Sequence, residues 1–161
     1  MLNYLKETLS FLDAVQKVPI SPRAQVLWHY LLYFNNQAAI ALDNGDYYWP
    51  VWFTVDNGVL VKAMGLKDSR SLYQYRKILI NRNLIQFRLR KSLRAPLGSQ
   101  KAANVAANVS TGEYALTPFT PGFEKRSLDE VGGEGKSLVW VEDVTGMRVG
   151  NNCLLYIINT I

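Results

Sequence analysis

The chain is 161 residues long, 48% hydrophobic and 19% charged, with a formal net charge of +5. That composition supports one packed domain with a small appendage and excludes wholesale disorder. A single cysteine, Cys153, excludes an internal disulfide and a thiolate metal cluster. The apolar run Leu154–Ile158 falls far below the roughly 20 residues that cross a bilayer. Lys6 is followed by no small-residue cleavage pattern, so no secretory signal is expected. A cytoplasmic setting with no membrane contact is the expectation.

Charge is unevenly spread. From Lys62 to Lys101 there are eleven basic residues and one acid, Asp68; the window carries +10 and leaves −5 for the rest. A block this polarised fits either a polyanion-binding surface or a solvated basic face. Its place among the structural elements has to separate the two.

In chain order, Leu5, Leu9 and Leu12 have helical spacing, with Tyr4, Phe11 and Val15 widening the apolar face, so a helix is predicted over Leu2–Val15. Ser21-Pro22 suits an N-cap followed by the first helical position. The second predicted helix runs to about Asn36, with Ala24, Leu27, Leu31 and Phe34 as its core stripe. A loop with a turn at Asp43–Asp46 leads to an aromatic, β-branched strand, Trp49–Val55, which Pro50 places at a sheet edge. A short helix, Asp56–Met64, and a break at Gly65-Leu66 follow. Asp68 is the expected N-cap of a helix from Ser69 to about Arg82, with Leu72, Tyr75 and Leu79 inward and Asn83 ending it in left-handed conformation. Leu84–Arg90 alternates like a strand, Glu113–Thr117 is its return partner, and Lys91–Gly112 forms the long connection. This order predicts an α+β, mainly helical fold: a winged helix-turn-helix with an extra N-terminal helix and a small β-wing.

Several of these segments also resemble a known family. Trp49-Pro50-Val51-Trp52-Phe53-Thr54-Val55, Gly65-Leu66, Ser71-Leu72-Tyr73-Gln74-Tyr75-Arg76-Lys77 and Leu84-Ile85-Gln86-Phe87 resemble the N-terminal winged-helix domain of phage and prophage replication initiators. These are the replisome organisers related to the DnaD primosome family. Asn3–Glu7, Leu27–Leu32, Asn35-Asn36 and Glu113–Pro118 agree with it, so the resemblance spans about residues 1–120. The loop Ala39–Tyr48 and the connection Lys91–Gly112 are longer than the family pattern, and residues 121–161 do not resemble the assembly domain often found in such initiators. The expected organisation is a DNA-binding domain over 1–120 and a linker and tail of unknown role over 121–161, in which Leu138–Val141 and Cys153–Ile158 read as two short strands. The resemblance implies duplex DNA binding in phage replication initiation, with host or phage replication proteins as further partners.

In such an arrangement the second helix enters the major groove, about 12 Å wide. The predicted interface comprises Ser69, Arg70, Ser71, Tyr73, Gln74, Arg76 and Lys77 on that helix, flanked by Arg88, Arg90, Lys91 and Arg94 on strand and wing. The serines and first-turn N–H groups suit phosphate. Arg70 pairs with a guanine edge or a phosphate. Gln74 pairs with an adenine edge or is an ordinary exposed residue.

No enzymatic site is expected. His29 is the only histidine, and no metal-ligand set or nucleophile–base pair accompanies it. No cofactor is expected either: Gly132–Ser137 lacks phosphate-loop spacing and reads as a flexible linker. Asp43 and Asp46 read as turn formers. Two alternatives stay open, a winged-helix transcriptional regulator and a self-association module. The latter, a homo-oligomer, draws on the surplus apolar surface of Leu5, Leu9, Leu12, Val26, Tyr30 and Tyr33.

Overall fold

The computed structural model describes residues 2–89 and 111–143. Helix α1, Tyr4–Lys17, starts where the Asn3 side chain accepts the Lys6 N–H at 3.1 Å. It buries Phe11 and Glu7. Phe11 stacks almost parallel on Trp28 of α2, Pro22–Gln37, with ring centroids 3.9 Å apart. The three leucines that mark the helical spacing of α1 do not join the core: Leu5, Leu9 and Leu12 are 62%, 54% and 40% exposed. Periodicity located an apolar face, but the adjoining arc is the one that packs. Its Glu7 carboxylate accepts the Phe119 N–H at 2.7 Å, the Thr120 N–H at 2.9 Å and the Thr120 hydroxyl. Those charge-assisted bonds compensate its burial.

Helix α2 buries Ala24, Leu27, Trp28, Leu31 and Leu32. Pro22 stands at its first position as expected, while the Ser21 side chain makes no capping bond. Strands β1, Ile40–Ala41, and β2, Tyr47–Tyr48, then form a short ladder within the segment read as loop. The turn between them has Gly45 at φ +87°, and Asn44 Oδ1 accepts the Asp46 N–H at 3.0 Å. Side-chain hydrogen bonding of this kind explains these polar residues without a metal.

Strand β3, Phe53–Asp56, ends in a residue that caps α3, Asn57–Ala63: Asp56 Oδ1 accepts from Gly58 N at 2.6 Å and Val59 N at 3.3 Å. A turn with Gly65 at φ +61° leads to α4, Ser69–Asn81. Asn83, at φ +54°, turns the chain into β4, Ile85–Leu89, as expected of a left-handed asparagine. Strand β5, Thr111–Leu116, lies between its partners, so the antiparallel sheet has the order β3-β5-β4. Pro50 lies just before β3, which is an edge strand. Leu27, Leu31, Leu60, Leu72, Leu79, Ile85, Tyr114 and Leu116 join helices and sheet in one core. Each such side chain, fully buried, contributes about 1.5–3 kcal/mol.

After residue 120 the strand read at Leu138–Val141 is present, and it pairs in a hairpin with a strand in the stretch expected to be linker, while Cys153–Ile158 lies outside the described residues. Strands β6, Phe123–Ser127, and β7, Leu138–Glu142, are antiparallel, joined through a 3₁₀ turn at Leu128–Val131. Gly132–Ser137, read as flexible, is held by Leu128 N to Ser137 O at 2.8 Å and Asp129 N to Gly135 O at 3.0 Å. Strand β7 docks on the segment before β3: Val51 N donates to Leu138 O at 2.8 Å and Trp140 N to Trp49 O at 2.9 Å. Val51 and Val139 are completely buried. The chain is thus α+β, with four helices and small antiparallel sheets among the described residues and no helix there long and apolar enough to cross a membrane.

Candidate nucleic-acid interface

Helix α4 is amphipathic with a sharp division. Leu72, Arg76 and Leu79 are buried, while Ser69, Arg70, Tyr73, Gln74 and Lys77 are exposed. Spacings of three, four and seven residues put Arg70, Tyr73, Gln74 and Lys77 on one stripe. Tyr73 shows 59% of its surface. Two cations, an amide and a phenol therefore project together from a helix anchored by two leucines, as the spacing predicts.

Arg76 is a correction. It is 7% exposed and belongs to the interior. Its Nη2 donates to the Tyr114 hydroxyl of β5 at 2.7 Å and to Asn57 Oδ1 of α3 at 2.9 Å. Its guanidinium lies 3.8 Å from the centroid of the Phe87 ring on β4. Gly112 makes room for that ring, since a Cβ there would stand 2.2 Å from Phe87 Cε2. Arg76 thus fixes α4 to α3 and the sheet. The signal was present in the sequence: Leu72, Arg76 and Leu79 have the spacing of one buried face. Positive charge alone had placed the residue outside. Burial raises the Tyr114 hydroxyl above its ordinary value, opposed by the adjoining guanidinium and its hydrogen bond.

The start of α4 also differs from expectation. Asp68 Oδ1 accepts the Ser71 N–H at 3.0 Å and the Ser71 hydroxyl at 3.2 Å. The Ser71 amide hydrogen bond lowers the carboxyl below its usual range. Ser71 therefore spends both donors on the cap and offers none to a phosphate, and the carboxylate repels an anion placed there. Ser69 remains exposed at the helix start.

Arg88 is engaged as well. Its Nε bonds Glu113 Oε2 at 2.5 Å across the β4–β5 pair, and its guanidinium lies 4.0 Å from the centroid of Trp52. The charge is largely balanced in place, although the side chain is still half-exposed. Arg90, Lys91 and Arg94, with the connection they belong to, lie outside the described residues. Lys62 and Lys67 are exposed at the end of α3 and in the turn before α4. Asn57, Tyr114 and Trp52 were not singled out in the sequence. Their roles follow from pairing partners far away in the chain, which no local pattern reveals.

His29 is half-buried and meets the stacked Phe11–Trp28 pair edge-on, 5.2 Å from Phe11 and 5.3 Å from Trp28 by centroid, and burial pushes its imidazole below the ordinary value. Among the described residues no group of three or more potential ligands could hold a metal ion. No family model matches the chain, and neither the curated proteins nor the solved structures contain a match to it.

Proposed function

We propose that the chain is a winged helix-turn-helix protein that binds duplex DNA through α4. The observation that carries this reading is the outward stripe Arg70, Tyr73, Gln74 and Lys77 on a helix whose opposite face is locked into the core. The element order α2, β3, α3, α4, β4, β5, with the sheet order β3-β5-β4, supports it by setting α4 against a hairpin. Arg70 and Lys77 supply charge, Gln74 a donor–acceptor pair for a base edge, and Tyr73 a hydroxyl able to donate to a phosphate oxygen. A role at a phage or prophage origin, with replication proteins as further partners, rests on the sequence resemblance. Regulation of transcription uses the same groove chemistry. Fragment selection from genomic DNA separates them: origin repeats support replication, and promoter-proximal sites support regulation.

The direct test of DNA binding is a salt titration of duplex affinity by fluorescence anisotropy. Neutralising about six phosphates gives a slope of log K against log salt of about −5. Replacing Arg70 and Lys77 together by alanine is expected to make it shallower by about two. A slope near zero in the unaltered protein rejects the proposal.

One observation favours a second, compatible reading. Leu5, Leu9 and Leu12 of α1 and Val26 and Tyr33 of α2 are exposed, an apolar surface suited to association of two copies.

A further inference from the structure

Helix α1 carries a row of leucines on the side away from the core. Leu5, Leu9 and Leu12 are exposed, and exposed Gln16 continues the row. Their spacing of four, three and four residues is that of a seam between two supercoiled helices. The two flanks of the row differ. Lys6 and Asp13, both exposed and two turns apart, lie on one flank. Thr8 and Val15, half-buried, lie on the other, where Tyr4 shares a groove with Val26, His29 and Tyr33 of α2. One side of the seam therefore carries a cation and an anion, and the other is largely apolar.

We propose that α1 pairs antiparallel with α1 of a second copy, Lys6 of each copy lying against the partner's Asp13. The pairing rests on association of two copies through this face and adds its geometry. A two-fold axis at the midpoint of α1 overlaps the helices from Tyr4 to Lys17 and sets Leu9 opposite the partner's Leu12, twice. Antiparallel helices bring like flanks together, so charged flank meets charged flank and apolar meets apolar. Lys6 then stands about two residues, roughly 3 Å along the axis, from the level of the partner's Asp13, which a lysine side chain spans. A parallel pair instead turns each charged flank toward Thr8 and Val15. The helix dipole agrees. Lys6 stands in the first turn of α1, at the positive end of its own helix. That placement is unfavourable in one copy alone, whereas an antiparallel neighbour brings its negative C-terminal end to the same place. The seam shares no residue with the α4 stripe, so both surfaces can be occupied at once.

Sedimentation equilibrium of the intact protein tests the pairing, with Lys6→Glu, Asp13→Lys and an equimolar mixture of the two variants. The parent is expected to be a dimer. Each variant alone replaces two opposite-charge contacts by two like-charge contacts, and its dimer is expected to weaken about tenfold or more. In the mixture every contact again joins opposite charges, so dimerisation is expected to return to near the parental strength. An acid in the first turn and a base toward the C-terminus suit the helix dipole, so helicity by circular dichroism is expected to stay at the parental level. A parent that sediments as a monomer removes the association itself, and the pairing with it. A dimeric parent with variants of unchanged strength, or a mixture no stronger than the variants alone, overturns the antiparallel pairing and leaves association standing.

Discussion

Arg76 is held by Asn57 and Tyr114 while Phe87 covers its guanidinium, so removing it takes a charged donor from the buried Tyr114 hydroxyl and the half-buried Asn57 amide oxygen and opens a space beneath α4. Arg76→Ala is expected to cost about 3 kcal/mol in denaturant unfolding and to leave the salt slope of DNA binding unchanged. Arg70→Ala and Lys77→Ala should do the reverse: stability within about 0.5 kcal/mol of the parent, and a slope shallower by about one each. Anisotropy and unfolding on the same three proteins check the pair of outcomes. His29 gives a pH prediction. Its folded value lies below the ordinary 6.5, so the unfolded chain binds the proton more readily. The resulting contribution to stability is flat above that value. It decreases as pH falls below 6.5, until the folded imidazole also titrates. Unfolding midpoints from pH 7.5 to 5 should show this decline, and His29→Gln should flatten it.

At the scale of the element, Asp68 both starts α4 and places a negative charge beside its exposed stripe. Its lowered value means that its contribution is present above the ordinary carboxylate range and is lost as pH falls through the folded value. Asp68→Ala is expected to lower the melting temperature at neutral pH. Asp68→Asn keeps an acceptor for Ser71, so it is expected to stay closer to the parent in stability and to bind DNA more tightly. Calorimetry with an affinity measurement checks both. Helix α1 offers a contrast between two apolar arcs. Phe11→Ala, at the Trp28 stack, should cost about 3–5 kcal/mol, while Leu5→Lys with Leu9→Lys should cost less than about 1 kcal/mol. If two copies associate through this face, the double lysine variant sediments as a monomer. An unchanged mass removes the second reading. The four helices and the strands β3, β4 and β5 were legible in order because each carries its own period, cap or turn residue, as with Asp68, Pro22 and Asn83; the two-residue strands β1 and β2 are too short to show a period. Which arc of α1 packs was not legible, since burial of Glu7 depends on backbone donors at residues 119 and 120.

For the whole molecule, charge and packing divide the chain. The basic block falls on α3, α4, β4 and the connection that follows, while the β6–β7 hairpin is sealed onto Trp49–Val51. The exposed half of the candidate DNA site could be read from sequence: leucine spacing turned Arg70, Gln74 and Lys77 outward. Arg76 is buried because spacing outweighs charge there, and the engagement of Arg88 was not legible because its partners, Glu113 and Trp52, are contributed by distant parts of the chain. Of the hairpin after residue 120, Leu138–Val141 was legible as a short strand, while its partner Phe123–Ser127 was not, because the charged run Glu124-Lys125-Arg126 interrupts any apolar alternation there. Amide mapping of the protein with a short duplex measures the central claim most directly. The account predicts that Arg70, Tyr73, Gln74 and Lys77 shift together in proportion to added DNA while residues of the β6–β7 hairpin do not. Unmoved α4 resonances, with shifts confined to α1 and α2 or to the hairpin, would contradict it.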